Sequence, residues 1–108
     1  MAETYPVFVP VRDRLAPLRQ LLAWLERAGQ HEVWLIDNAS TYPPLVEFLD
    51  TTHHHVVRLS HNLGHRSPWL SGAVQRHGHG RFFVVSDPDV VPDDDCPLDA
   101  LDHFRALL

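Results

Sequence analysis

The chain has 108 residues, of which 44% are hydrophobic, so it can form one small domain with a core and is not a disordered chain. Its formal net charge of -5 argues against a nucleic-acid backbone as the main partner. Its only cysteine, Cys96, excludes an internal disulfide and fits a reducing compartment.

The first residues lack the basic region and the long apolar run of a signal peptide. No apolar run in the sequence approaches the roughly 20 residues that are needed to cross a bilayer. We therefore expect a cytoplasmic protein with no transmembrane segment.

Apolar runs rich in β-forming residues predict four strands. The first run is nearly continuous rather than alternating, which is typical of a strand buried on both faces within a parallel sheet. The fourth carries Phe82 and Phe83 and stops at a pair of carboxylates. The predicted strands cover residues 5–11, 33–36, 56–59 and 81–86.

Apolar residues at helical spacing predict helices between and after these strands. The first helix has leucines three or four residues apart, Pro17 in its first turn and Gly29 as its stop. The second opens at Pro43, and the third covers residues 67–76. A last helix begins near Pro97.

Strands and helices that alternate at this spacing predict right-handed βαβ units. We therefore expect an α/β fold of three layers, with a Rossmann-like parallel sheet in the strand order 3-2-1-4. In such a sheet, ligands bind outside the carboxyl ends of the strands where the order reverses, here between strands one and four. The rims of this crevice would be residues 10–14 and 87–89. Asp37 would lie on the same edge, in contact with water while the site is empty.

Asp87 and Asp89 are two residues apart where the fourth predicted strand ends, with Pro88 between them. Positions i and i+2 of an extended backbone point the same way, so both carboxylates can face one target. Such a pair suits a hard divalent cation that also holds a phosphate. A solvated acidic turn explains the same residues, because Asp and Pro are common in turns. The sequence contains no glycine-rich dinucleotide motif after strand one and no P-loop motif.

Four motifs follow the predicted strands: Pro-Val-Arg-Asp at residues 10–13, Asp-Asn-Ala-Ser-Thr at 37–41, Asn-Leu-Gly at 62–64 and Asp-Pro-Asp at 87–89. In order and spacing, along essentially the whole chain, they resemble family 2 glycosyltransferases of the GT-A fold. That family binds a nucleotide-diphosphate sugar with its first half. The resemblance implies a single nucleotide-diphospho-sugar-binding domain that binds a UDP-sugar and transfers the sugar to an acceptor.

The resemblance also implies roles for individual residues. Asp37 would meet the base, and Pro10 would line the nucleotide pocket. Asp87 would lie near the ribose and, together with Asp89, would hold Mg²⁺ or Mn²⁺ against the diphosphate.

The chain departs from the family pattern in two places. Where the family often has Arg-Asn near the start of the third helix, this sequence has Trp69 and Leu70, and Arg66 is our candidate to replace the missing positive charge. Strand one is followed by Arg12 and Asp13 instead of the usual Tyr-Asn, and we expect Arg12 to help bind the substrate. The acceptor-binding half, with its catalytic carboxylate, would follow residue 108, so the catalytic residues and the acceptor stay unassigned.

The nine histidines also suggest a metal site as a hypothesis. Successive residues of a strand point in different directions, so the run at residues 53–55 cannot easily bind one ion together. The spacing of the other histidines and of the cysteine does not match a zinc site. We interpret the histidines as solvated loop residues, with His65 as the exception because it lies on a loop at the predicted rim.

Two classes of function remain open. The first is a metal-dependent glycosyltransferase or its donor-binding half, and the second is a non-catalytic remnant that acts as a protein-interaction module. We also predict a homo-oligomer, because an apolar fourth strand at the edge of the sheet would be prone to pair with another chain.

Overall fold

A parallel sheet forms the centre of the fold in the computed structural model, which describes residues 4–78, 80–87 and 100–101. The strands of the described part are β1 (Val7–Val11), β2 (Val33–Asp37), β3 (His55–Arg58) and β4 (Val84–Val85). They are hydrogen-bonded in the order β3-β2-β1-β4, and all three pairings are parallel. The predicted α/β class and strand order are confirmed.

Helices connect the strands as predicted. The helices among the described residues are α1 (Ala16–Arg27), α2 (Pro43–Thr51), α3 (Ser67–Leu70) and α4 (Ala73–His77), and a 3-10 turn covers Gly64–Arg66. Within that part of the chain, no helix has the length and apolar character to cross a membrane. The predicted last helix lies outside the described residues apart from Ala100 and Leu101, which are helical.

Helices cover both faces of the sheet. The side chains of β1 point alternately to one face and the other, so they enter two separate cores. Val7 and Val9 pack into one core with the leucines of α1 and α2. Phe8 points to the other face, where it packs into a second core with Ile36 and with Val74 of α4. All of these side chains are buried. The burial of β1 on both faces explains why its sequence is apolar throughout.

The third predicted helix is wrong in one respect. Instead of one helix over residues 67–76, the chain forms the short helices α3 and α4, which are separated by two residues. Gly72 lies between them with φ of 83°, in the left-handed region that an α-helix cannot continue through. Glycine has no Cβ and adopts this conformation at little cost, so the chain changes direction there.

The fourth strand is shorter than the predicted residues 81–86, since only β4 pairs with β1. Phe82 and Phe83 precede it and pack edge-on against Tyr5 and Phe8, with ring centroids 5.1 and 5.9 Å apart. Both phenylalanines are half-buried. Their apolar surface is therefore partly covered by this chain itself, which weakens the argument for an exposed apolar edge.

The prediction that the histidines lie in loops is wrong for two of them. His55 is the first residue of β3, and His77 is the last residue of α4. Their rings stack on the indole of Trp34 in β2, with centroids 4.0 and 3.7 Å away. This stack joins α4 and β3 to the second strand, so these histidines contribute to packing.

Candidate functional site

A cleft of about 260 Å³ lies outside the carboxyl ends of the strands. β1 has β2 on one side and β4 on the other, so the strand order reverses at this point. Residues from both predicted rims meet here. The cleft is lined by Pro10, Val11, Arg12, Arg14, Asn38, Gly64, His65 and Asp87.

The charged side chains that line the cleft are exposed to solvent. Arg12 and Arg14 come from the segment after β1, and Asp87 comes from the segment after β4. The guanidinium of Arg12 is held in place: its Nη1 donates a hydrogen bond of 2.8 Å to the carbonyl oxygen of Asn38. Its Nε lies 3.4 Å from Oδ2 of Asp13. An arginine oriented in this way is suited to bind a phosphate or carboxylate.

The predicted metal ligands are only partly within the described residues. Asp87 lines the cleft with an exposed carboxylate, a hard oxygen donor that fits Mg²⁺ or Mn²⁺. Asp89 lies outside the described residues. Over the ranges that the structure describes, no group of three or more His, Cys, Asp or Glu side chains is arranged to hold a metal ion. Phosphate oxygens and water would therefore have to complete the coordination, and the metal site stays a prediction.

Asp37 ends β2 at the predicted edge, but the expectation that water surrounds it is wrong. Its exposed fraction is only 5%. Its Oδ1 accepts a hydrogen bond of 3.1 Å from the backbone N–H of Ser40, and it does not line the cleft. The chain folds back over Asp37 because Ala39 adopts a left-handed conformation with φ of 56°. Asp37 therefore stabilises the turn after β2, and its predicted contact with a base stays a prediction.

Asp13 joins the segment after β1 to the start of α2. Its Oδ1 accepts hydrogen bonds of 2.7 and 2.8 Å from the N–H groups of Thr41 and Tyr42. Its own N–H donates to Oγ of Ser40. Tyr42 is the N-cap residue of α2 and provides no side-chain cap, and the contacts of Asp13 hold the backbone of this residue and of the residue before it. These bonds, from Tyr42 and then Thr41, lower the pKa of Asp13 below its ordinary value, with a smaller contribution from the charge of Arg12.

Asn38 is the buried polar residue at the base of the cleft, with an exposed fraction of 3%. Its Oδ1 accepts the N–H of Leu63 at 3.0 Å. Its Nδ2 donates to Oγ of Ser67 at 3.1 Å and to the carbonyl oxygen of Gly64 at 3.4 Å. The side chain thus connects the loop after β2 with the loop after β3.

No family model, curated protein or solved structure matches this chain. The resemblance to family 2 glycosyltransferases therefore stays a prediction. The parallel sheet in the order 3-2-1-4 is consistent with a Rossmann-like fold and identifies no family.

Of the six residues predicted for the site, three line the cleft, two do not, and Asp89 lies outside the described residues. Pro10, Arg12 and Asp87 line one cleft, whereas Asp37 is buried in a turn. Arg66 is exposed and is not among the lining residues, because the 3-10 turn brings the preceding residue, His65, to the cleft instead.

The sequence predicts His65 on this rim but predicts no role for Asn38 or Asp13. The only available signal was that both belong to motifs that follow strands. Their role depends on contacts between loops that are 25 to 29 residues apart in the chain, which residue types alone do not specify.

Proposed function

We propose that this domain binds a nucleotide-diphosphate sugar, namely a UDP-sugar, in the cleft between β1 and β4, for transfer of the sugar to an acceptor. The observation that supports this best is the position of the cleft at the reversal of strand order, with cationic side chains along its wall. Open α/β sheets bind nucleotides at this place. The single cysteine also leads us to propose a cytoplasmic location.

The charges of the lining residues fit a diphosphate. Arg12 and Arg14 are cationic, and the imidazole of His65 offers a ring N–H as a hydrogen-bond donor. Arg12 would bind phosphate oxygens through guanidinium N–H groups other than the one that Asn38 accepts.

Asp87 repels the diphosphate unless a cation lies between them. We therefore assign Asp87 and Asp89 to Mg²⁺ or Mn²⁺, with the remaining ligands from the phosphates and water. When bound, the metal would offset the negative charge that builds up on the departing diphosphate. No catalytic base is assigned.

The test is calorimetric titration of this chain with UDP in the presence of Mn²⁺ and, separately, of EDTA. We expect binding with Mn²⁺ and weak or no binding in the chelator. Asp89→Asn and Asp87→Asn keep the side-chain shape and remove the charge, so each should lose the metal dependence and most of the affinity.

Asp50→Asn is the matched control. Asp50 is an exposed carboxylate that pairs with Arg58 and does not line the cleft, so its loss should leave UDP binding unchanged. Equal binding of UDP with Mn²⁺ and with EDTA would show that the Asp87 and Asp89 pair is an acidic turn and would remove the metal from the proposal.

A protein-interaction module is the second candidate, because large apolar side chains are exposed on the segment after β3 and on α3. Leu63 precedes the 3-10 turn, and Trp69 and Leu70 lie in α3, where Leu70 is 62% exposed. Exposed apolar surface of this kind favours association, and we propose a homo-oligomer on this ground. Sedimentation at micromolar concentration should show a dimer or larger species that Leu70→Glu weakens. A monomer under these conditions would contradict the proposal.

A further inference from the structure

Asn38 connects three strand-end loops through its backbone and its side chain. Its N–H donates to the carbonyl oxygen of Val11 at 2.9 Å, and its own carbonyl oxygen accepts from Arg12. Its side chain reaches the loop after β3, through Leu63 and Gly64. Every backbone and side-chain polar group of Asn38 therefore has a partner, and these partners lie on both sides of the cleft.

The two walls of the cleft are thus held by the same residue. Arg12 lies on the wall that follows β1, and Gly64 and His65 lie on the wall that follows β3. A shift of the Asn38 amide would change the distance between these walls, because no regular backbone hydrogen bonding joins β1 directly to β3, which are separated by β2. Ser67 limits this shift, since its Oγ lies 3.1 Å from Nδ2 of Asn38 and its side chain is fully buried.

A buried amide can also stabilise the fold without any effect on a binding site. Gln30 is a second buried amide in this chain and serves as the comparison. Gln30 is 2% exposed, and its Oε1 accepts the N–H of Tyr5 at 2.8 Å. Both residues precede strands, at the edge of the sheet opposite to the cleft. Gln30 therefore provides a comparison of similar burial at the opposite ends of the strands.

We propose that Asn38 is a positioning residue of the cleft. It sets the separation between Arg12 and the Gly64–His65 wall, and this separation determines how tightly the diphosphate of the ligand is held. The identity of the ligand rests on the function proposed above, whereas the coupling of the two walls does not.

The test compares three variants by UDP titration with Mn²⁺ and by thermal unfolding. Asn38→Ala removes the link between the walls. Ser67→Ala leaves Asn38 in place but removes the acceptor that limits its amide, and Ser67 itself does not line the cleft. Gln30→Ala is the matched control.

We expect the Kd for UDP to rise about tenfold in Asn38→Ala and about threefold in Ser67→Ala, as loss or loosening of one or two hydrogen bonds predicts. Gln30→Ala should lower the Tm and leave the Kd within about twofold. Ser67→Ala keeps the test decisive if Asn38→Ala does not fold. An unchanged Kd in Ser67→Ala, or an equal rise of Kd in Gln30→Ala, would overturn the proposal.

If the unaltered chain does not bind UDP, the proposed function fails and the positioning role is decided without a ligand. The NMR signals of the His65 ring and the Arg12 guanidinium should then both shift in Ser67→Ala and stay in place in Gln30→Ala. Signals that stay in place in Ser67→Ala would refute the coupling of the two walls.

Discussion

Asp37 allows a quantitative test of the turn after β2. In Asp37→Ala, the N–H of Ser40 loses the acceptor that now lies 3.1 Å away. Leaving a buried donor without a partner costs about 1–3 kcal/mol, and because the N–H of Ser40 is only partly buried we expect a loss of about 1–2 kcal/mol. An exposed site would instead change stability by less than about 0.5 kcal/mol.

Urea denaturation of the purified chain measures this difference. With a denaturant slope of about 1–3 kcal/mol per molar urea, the midpoint should fall by roughly 0.3–2 M in Asp37→Ala. Asp37→Asn keeps an oxygen for Ser40 and should lose less than half as much. Asp50→Ala is the exposed control and should leave the midpoint in place. A midpoint for Asp37→Ala equal to that of the control would show that the turn does not depend on this carboxylate.

The remaining predictions concern the same loops. Ala39→Gly should raise the Tm, because Ala39 has φ of 56° and the left-handed conformation costs a non-glycine residue about 1–2 kcal/mol, partly offset by the higher chain entropy of glycine. A lower Tm would show that the methyl group packs favourably. The lowered pKa of Asp13 means that its carboxylate stabilises the fold above its ordinary pKa of 3.8, and that this stabilisation is lost as the pH falls through the lower folded value. Asp13→Asn should therefore be less stable than the unaltered chain at neutral pH and should lose less stability between about pH 5 and pH 2. Parallel pH profiles of the two proteins would rule out Asp13 as the group responsible.

The metal assignment depends on Asp87, the last residue described after β4, and on Asp89, which lies outside the described residues. Asp87 is exposed at the cleft. Under the proposed function, a cation would lie between its carboxylate and the phosphates and offset their repulsion. Asp89 was assigned from its spacing alone, because positions i and i+2 of an extended chain share a direction. The titrations of Asp87→Asn and Asp89→Asn therefore test separate premises, one structural and one from sequence.

The class of fold and the place of the cleft can be predicted from the amino-acid sequence alone. Apolar runs such as residues 5–11 separated by helical patterns allow few arrangements other than a parallel sheet, because helices must cover both of its faces. The carboxyl ends of parallel strands meet at one edge, so the sequence alone predicts that Pro10, Arg12 and Asp87 lie close together.

Which of the polar residues at that edge face solvent depends instead on tertiary contacts. Asp37 and Asn38 are adjacent in sequence and both polar, yet one closes a turn and the other joins three loops. Their roles depend on Ser40 and on Ser67, whose positions follow from the packing of loops that are distant in the chain. Likewise, His65 lines the cleft and Arg66 does not, because the direction of a side chain in a short 3-10 turn follows from how that turn packs. Local sequence patterns specify strands and helices, whereas contacts between loops arise only after the sheet has brought the ends of its strands together.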